Sequence, residues 1–71
     1  MKFQNKFTKK IVEAKKFNKT QTVQLLKEGS LIFGQVLENQ WIVYLDENNH
    51  QILNSDIFEA TYTPYKELLL D

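Results

Sequence analysis

The sequence contains no cysteine, one histidine, one proline and two glycines. Without cysteine there is no disulfide framework, and a single histidine does not make an ordinary zinc site, so two usual supports of small domains are excluded. The absence of cysteine also fits a reducing compartment. A chain of 71 residues forms one domain that buries only about 60% of the surface its unfolded chain exposes. Its stability must therefore come from packing or from self-association.

The sequence also lacks a long apolar segment. No run approaches the about 20 apolar residues that a membrane-spanning helix needs, and the N-terminal segment MKFQNKFTKK has no apolar signal core. We therefore expect no membrane partner and a cytoplasmic location. Residues 1–71 are predicted to form a single small α+β domain, with a core over residues 7–64 and an apolar tail over residues 65–71.

Arginine is absent too, so all nine basic residues are lysines. Residues 1–20 hold seven lysines and one acid, and residues 21–71 hold two lysines and eight acids, so charges of +6 and −6 cancel. Because arginine is the side chain best suited to bidentate recognition of phosphate and guanine, its absence disfavours specific nucleic-acid binding. The alternative hypothesis of nucleic-acid binding uses Phe3, Phe7 or Phe17 as stacking platforms beside N-terminal lysines. These lysines are Lys6, Lys9, Lys10, Lys15, Lys16 and Lys19.

The N-terminal half gives one ambiguous signal and one clear one. Residues 3–17 fit the periodicity of a helix and of a strand. A helix is then predicted over residues 18–28, because Asn18 or Thr20 can cap its first turn and Gly29 suits the left-handed position that ends a helix. This helix is expected to lie on a sheet.

The C-terminal half predicts strands joined by polar turns, followed by a helix. The strand over residues 31–37 is apolar on both faces and is expected to be central in the sheet. A helix is predicted to begin at Asn54 or Ser55 and to stop at Pro64. The predicted fold is therefore α+β, a small antiparallel sheet in the order β-α-β-β-β-α with one or two short helices on one face. Its other strands cover residues 41–45 and 50–53.

Aromatic and leucine side chains provide the candidate partner-binding residues. Trp41 and Tyr44 fall on opposite faces of one predicted strand. A sheet covered on one side only would leave one of them partly exposed, and an exposed aromatic residue beside leucines is the usual composition of a binding hot spot. The candidates are Trp41, Tyr44, Tyr65, Leu68, Leu69 and Leu70.

No constellation of residues predicts an enzyme, a metal site or a cofactor. His50 lies near Asp46 and Glu47, but these residues sit in and beside one predicted polar turn, with no second histidine and no spacing that would converge ligands. The two glycines are too few for a phosphate-binding loop. We expect no catalytic residue, no metal ligand and no cofactor-binding residue.

Three short motifs carry a resemblance to a known family. They are Val12-Glu13-Ala14 followed by Phe17, the tripeptide Trp41-Ile42-Val43, and the segment DIFEATY over residues 56–62 with Pro64 just after it. With these motifs, residues 7–64 resemble small bacteriophage and prophage proteins of uncharacterised function, related to the group named for a proline-glycine-aspartate-tyrosine-glycine motif. The glycine and aspartate that this family places before the tryptophan are Asn39 and Gln40 here.

The resemblance implies a phage or prophage origin and a strand over residues 11–17, and it brings no activity, cofactor or catalytic residue. The lysine- and asparagine-rich composition without arginine is typical of an AT-rich genome, which favours a low-GC Gram-positive host. The leading hypothesis is a non-enzymatic accessory protein that binds a host factor, a host defence component or copies of itself. The alternatives are a nucleic-acid-binding protein and a minor component of virion assembly.

Overall fold

The computed structural model describes residues 1–66, which form seven strands and one short helix. The helix begins at Ser55 and ends at Thr61. In chain order the elements are β1 (Lys2–Asn5), β2 (Ile11–Lys16), β3 (Gln21–Lys27), β4 (Ser30–Val36), β5 (Trp41–Asp46), β6 (Asn49–Leu53), α1 (Ser55–Thr61) and β7 (Tyr62–Pro64).

The strands form two antiparallel sheets. Five of them make one sheet in the order β6-β5-β2-β1-β7, whereas β3 and β4 pair with each other as a separate hairpin. Neighbouring residues of β5 point to opposite faces of the larger sheet. Val43 packs in the cluster under α1, and Ile42 packs against the β3–β4 hairpin. The fold therefore has three layers, with the larger sheet between the helix and the hairpin.

The layer between the sheet and α1 is built around aromatic rings. Phe58 of α1 is 2% exposed. Its ring stacks on Trp41 with 3.9 Å between centroids and meets Phe3 edge-on at 4.9 Å. The buried members of this cluster are Phe3, Val12, Ala14, Val43, Phe58 and Tyr62.

The layer between the sheet and the hairpin is smaller and aliphatic apart from Phe17. Its buried members are Phe17, Leu25, Val36 and Ile42. Gly34 lies where β4 comes closest to this layer, because a Cβ atom built there would lie 2.9 Å from Leu25 Cδ1 and 3.4 Å from Ile52 Cδ1. The glycine lets the hairpin approach the sheet.

The helix predicted over residues 18–28 is wrong. This segment contains strand β3, and Gly29 belongs to a hairpin turn instead of a helix end. Glu28 has a φ angle of 50° and Gly29 one of 80°, the pair of positive values that a two-residue hairpin turn requires. Val23 and Leu25 then share the buried face of a strand.

The other predicted elements of the C-terminal half are confirmed as β4, β5, β6 and α1, except that α1 ends at Thr61 and Tyr62–Pro64 form β7 instead of continuing the helix to Pro64. The expectation that residues 31–37 form a central strand is wrong, because β4 has only β3 as a neighbour within residues 1–66. The strand that the resemblance implies over residues 11–17 corresponds to β2. The fold is thus a mainly β, antiparallel structure with a single short helix in its described part, and the order β-α-β-β-β-α is corrected to β-β-β-β-β-β-α-β.

Candidate protein-binding surface

His50 joins the hairpin to the larger sheet. Its Nδ1 atom accepts a hydrogen bond from the backbone N–H of Leu26 at 3.2 Å, and its ring lies edge-on to Tyr44 with 4.7 Å between centroids. The turns beside it are joined as well, since the Gly29 N–H donates to the Asn48 carbonyl at 3.0 Å. His50, expected at the start of a strand beside a polar turn, lies in β6 and positions β3.

Replacing His50 tests this link. His50→Leu leaves the Leu26 amide without an acceptor, and we expect the free energy of unfolding to fall by about 1–3 kcal/mol. His50→Asn can retain the acceptor, because its Oδ1 takes the place of Nδ1, and it should keep most of that stability. Urea denaturation measures the free energy of unfolding of both variants. Equal values for the two variants would show that the hydrogen bond does not hold the hairpin.

The bond to His50 also fixes which backbone groups of β4 are open. It shows that the Leu26 N–H points away from β4, and Leu26 is directly opposite Leu31. In an antiparallel pair such outward-pointing residues alternate with inward-pointing ones, so the N–H and C=O groups of Leu31, Phe33 and Gln35 all point away from β3. We call these three residues the β4 edge. No other strand in the described part of the chain pairs with it.

The side chains of the β4 edge expose two large apolar groups. Leu31 is 59% exposed and Phe33 is 72% exposed on the outer face of the hairpin. The strand Ser30–Val36 contains no charged residue and no proline. Charge, proline, shortness and coverage are the usual means by which proteins prevent a strand edge from pairing, and the β4 edge has none of them.

The edges of the larger sheet are protected in contrast. β7 has only three residues and includes Pro64, which has no N–H to donate to a neighbouring strand. β6 lies beside β3, where Asn49 Oδ1 accepts from the Glu28 N–H at 3.0 Å. At the far end of β4, Gln40 Oε1 accepts from the Leu37 N–H at 2.8 Å, which closes that end. Within residues 1–66, the β4 edge is thus the strand edge that combines open backbone groups with large exposed apolar side chains and no charge.

The predicted partner-binding residues lie elsewhere. Trp41 and Tyr44 are both half-buried, because α1 covers one face of the sheet and the hairpin covers the other. Trp41 borders an apolar groove of about 490 Å³ beside α1, and its buried Nε1–H has no acceptor among residues 1–66. Tyr65 is half-buried and donates its backbone N–H to the Lys2 carbonyl at 3.0 Å. Leu68, Leu69 and Leu70 lie outside the described residues.

The candidate lysines fall into two groups. The β1–β2 turn carries one group beside Phe7, which is 76% exposed. The other group lies at the opposite end of β2, where Lys15 Nζ lies 5.2 Å from the centroid of the Phe17 ring. The group in the β1–β2 turn consists of Lys6, Lys9 and Lys10, and the group at the opposite end of β2 consists of Lys15, Lys16 and Lys19. They do not form one continuous row along a face.

The described residues do not assemble a metal site. Residues 1–66 contain no group of three or more histidine, cysteine or acidic side chains placed to hold an ion. Asp46 has a different role, because its carboxylate accepts hydrogen bonds from the Asn48 N–H at 2.8 Å and from the Asn49 side chain at 3.1 Å. These bonds lower the pKa of Asp46 below its usual 3.8, and they shape the β5–β6 turn.

Comparison with protein-family models, with curated proteins and with solved structures finds no match for this chain. No helix within residues 1–66 has the length and apolar character needed to cross a membrane. A function for this chain is therefore inferred from the geometry of its own residues.

The β4 edge was missed in the sequence because its apolar residues were assigned to a central strand. Glu28 and Gly29, placed between two seven-residue segments, are a hairpin signal. Recognising that turn would have paired β3 with β4. It would also have shown that Leu25 and Leu26, which are adjacent, must lie on opposite faces.

Proposed function

We propose that this chain is a non-enzymatic binding protein that recognises another protein chain through the β4 edge. The observation that carries the proposal is the combination of open backbone groups with the exposed side chains of Leu31 and Phe33 on an uncharged strand. An extended segment added to such an edge gains main-chain hydrogen bonds, and side-chain contacts give it specificity. The partner is a protein strand.

The proposal includes the biological setting implied by the sequence. The small size of the chain and the resemblance of residues 7–64 to small phage and prophage proteins support an accessory protein of a phage or prophage. It would act in the cytoplasm of a low-GC Gram-positive host. Its partner is then a host factor, a host defence component, a virion component or a second copy.

Capture of partners by matched variants tests the proposal. Immobilised wild-type protein is exposed to lysate of a low-GC Gram-positive bacterium beside two variants, Phe33→Lys at the β4 edge and Ile57→Lys on α1. Both sites are exposed, Phe33 to 72% and Ile57 to 50%, so both variants should fold. We expect wild type and Ile57→Lys to capture a protein that Phe33→Lys does not capture. Alternatively, wild type and Ile57→Lys should self-associate and Phe33→Lys should not. No Phe33-dependent binding of either kind would contradict the proposal.

One observation favours a second candidate function, binding of single-stranded nucleic acid. The β1–β2 turn holds Phe7 outward, since Asn5 Oδ1 accepts hydrogen bonds from the N–H groups of Phe7 at 2.8 Å and Thr8 at 3.0 Å. Lys9 and Lys10 are exposed in the same turn. An exposed aromatic ring beside lysines can stack on a base of any sequence.

Mobility shift of an oligothymidine at low salt tests this candidate. Stacking on one ring is worth about 1–3 kcal/mol, so Phe7→Ala should weaken binding about fivefold or more. Phe33→Ala is the matched control, because it removes an equally exposed ring from a strand without lysines. Added salt should weaken binding steeply. The absence of any shift at low salt would exclude this function.

A further inference from the structure

We infer that the partner of the β4 edge is a second copy of this chain, paired antiparallel across a two-fold axis at Phe33. The two hairpins would then form one continuous four-stranded sheet, with the β4 strands at its centre. This inference rests on the proposed protein-binding function and names the occupant of that site.

The open backbone groups have the symmetry that self-pairing requires. Leu31 and Gln35 lie two residues before and two residues after Phe33, and β4 is closed beyond them by the bond from Leu37 to Gln40. An antiparallel copy centred on Phe33 places Leu31 opposite Gln35 of the second copy and Phe33 opposite its own equivalent. Each opposed pair exchanges two hydrogen bonds, so the three pairs form about six. Every open donor and acceptor of the β4 edge is then used.

The side chains are compatible with the same register. Like charges placed directly opposite each other destabilise a sheet, and the strand Ser30–Val36 carries no charge. Pairing the strand with itself therefore opposes no like charges. Two Phe33 rings meet at the axis, and aromatic cross-strand pairs stabilise sheets. The nearest acids, Glu28 and Glu38, lie beyond the two ends of the strand and limit the pairing to its length.

The fold also explains why this pairing stops at two copies. On its other side the hairpin lies against β6, where His50 accepts from the Leu26 N–H. A two-fold contact uses the same surface on both copies and closes on itself, so the β4 edge has no open group left for a third copy. A two-stranded sheet is marginally stable by itself, and pairing turns it into a sheet of four strands. The open, uncharged edge is thus covered without aggregation.

A contact along one strand is small, which sets the expected affinity. Interfaces below about 1,200 Å² belong to the weak and transient class, and we expect a Kd of about 10–100 µM.

Sedimentation equilibrium of the full chain from about 1 µM to about 1 mM measures the Kd of the dimer. Phe33→Lys places two positive charges opposite each other at the axis and should raise the Kd at least tenfold. Ile57→Lys, on the opposite side of the larger sheet, should leave the Kd unchanged.

Engineered cysteines test the register, since the natural chain has no cysteine that could interfere. Leu31→Cys and Gln35→Cys proteins are mixed and oxidised near the Kd, with Phe33 retained in both. The proposed register sets the two cysteines opposite each other, with Cα atoms about 5.5 Å apart, a distance that a disulfide spans. We expect mixed disulfide dimers to form at least five times faster than dimers of either variant alone. Equal rates would overturn the two-fold axis at Phe33.

The outcomes separate this inference from the proposed function. A wild-type chain that stays monomeric at about 1 mM overturns self-pairing, whereas Phe33-dependent capture of another protein would still support binding through the β4 edge. A dimer that survives Phe33→Lys but is lost in Leu69→Lys also overturns self-pairing at the β4 edge, and the proposed function is then contradicted only if no other protein is captured in a Phe33-dependent way. A dimer lost only in Phe33→Lys supports the inference.

Discussion

Phe58→Ala should leave the protein largely unfolded at 37 °C. Truncating a buried phenylalanine costs about 3–5 kcal/mol, while a domain of this length has a total stability of about 4–10 kcal/mol. Phe58 is 2% exposed and contacts the rings of Trp41, Phe3 and Tyr62 at once. Its loss opens the layer that joins α1, β1, β5 and β7.

Urea denaturation followed by circular dichroism measures this effect. The neighbouring residue provides a matched control, because Ile57 lies on the same helix and is 50% exposed. Ile57→Ala should change the free energy of unfolding by less than about 1 kcal/mol. The melting temperature of Phe58→Ala should fall by more than about 12 °C. Similar stability losses in the two variants would mean that α1 is not docked as described.

Leu25→Ala should detach the hairpin from the larger sheet. Leu25 is 5% exposed in the cluster with Phe17, Val36 and Ile42, and truncating a buried leucine costs about 2–5 kcal/mol. Leu31→Ala is the control in the same hairpin, because Leu31 is 59% exposed and its loss should cost less than about 1 kcal/mol. Both are compared by urea denaturation at about 1 µM, where association is negligible.

A double mutant identifies the contact responsible. In the wild-type background, Gly34→Ala sets a methyl group 2.9 Å from Leu25 Cδ1, and such overpacking costs about 1–3 kcal/mol. In the Leu25→Ala background the same methyl group enters the space that the leucine has left. We therefore expect the two substitutions to be non-additive by about 1 kcal/mol or more. Additive effects would show that Leu25 and Gly34 do not touch.

Strands β5 and β6 of the larger sheet are predictable from β-branched and aromatic residues bounded by polar turns. β2 shows a period of two, because Val12 and Ala14 are buried between exposed residues, but the same segment also fits a helix and only the resemblance implies the strand. In β3, Leu25 faces the core and Leu26 next to it faces outward, which removes the period of two. With that period hidden, Gly29 resembles a helix end. Pairing with β4 decides the strand, and the local sign of that pairing is the turn at Glu28 and Gly29.

The same residues explain why the binding surface was missed. Leu31 and Phe33 made β4 apolar on both faces, which is typical of a strand buried in the middle of a sheet. The structure leaves their side of the strand open. Places where sequence patterns contradict the fold are often functional, and here the contradiction falls on the candidate site. The chemistry of Trp41 and Tyr44 suits a binding surface, but their exposure depends on which layers cover the sheet.

Amide hydrogen exchange at two protein concentrations tests the central claim, the pairing of the β4 edge with a second copy, most directly. Near 1 µM the amides of Leu31, Phe33 and Gln35 should exchange rapidly, whereas the Leu26 amide is protected by His50. Near 1 mM, well above the expected Kd, these three amides should slow by about five- to fifteenfold, the inverse of the remaining monomer fraction, while that of Leu26 changes little. If all three exchange equally fast at both concentrations, the β4 edge does not pair with a second copy.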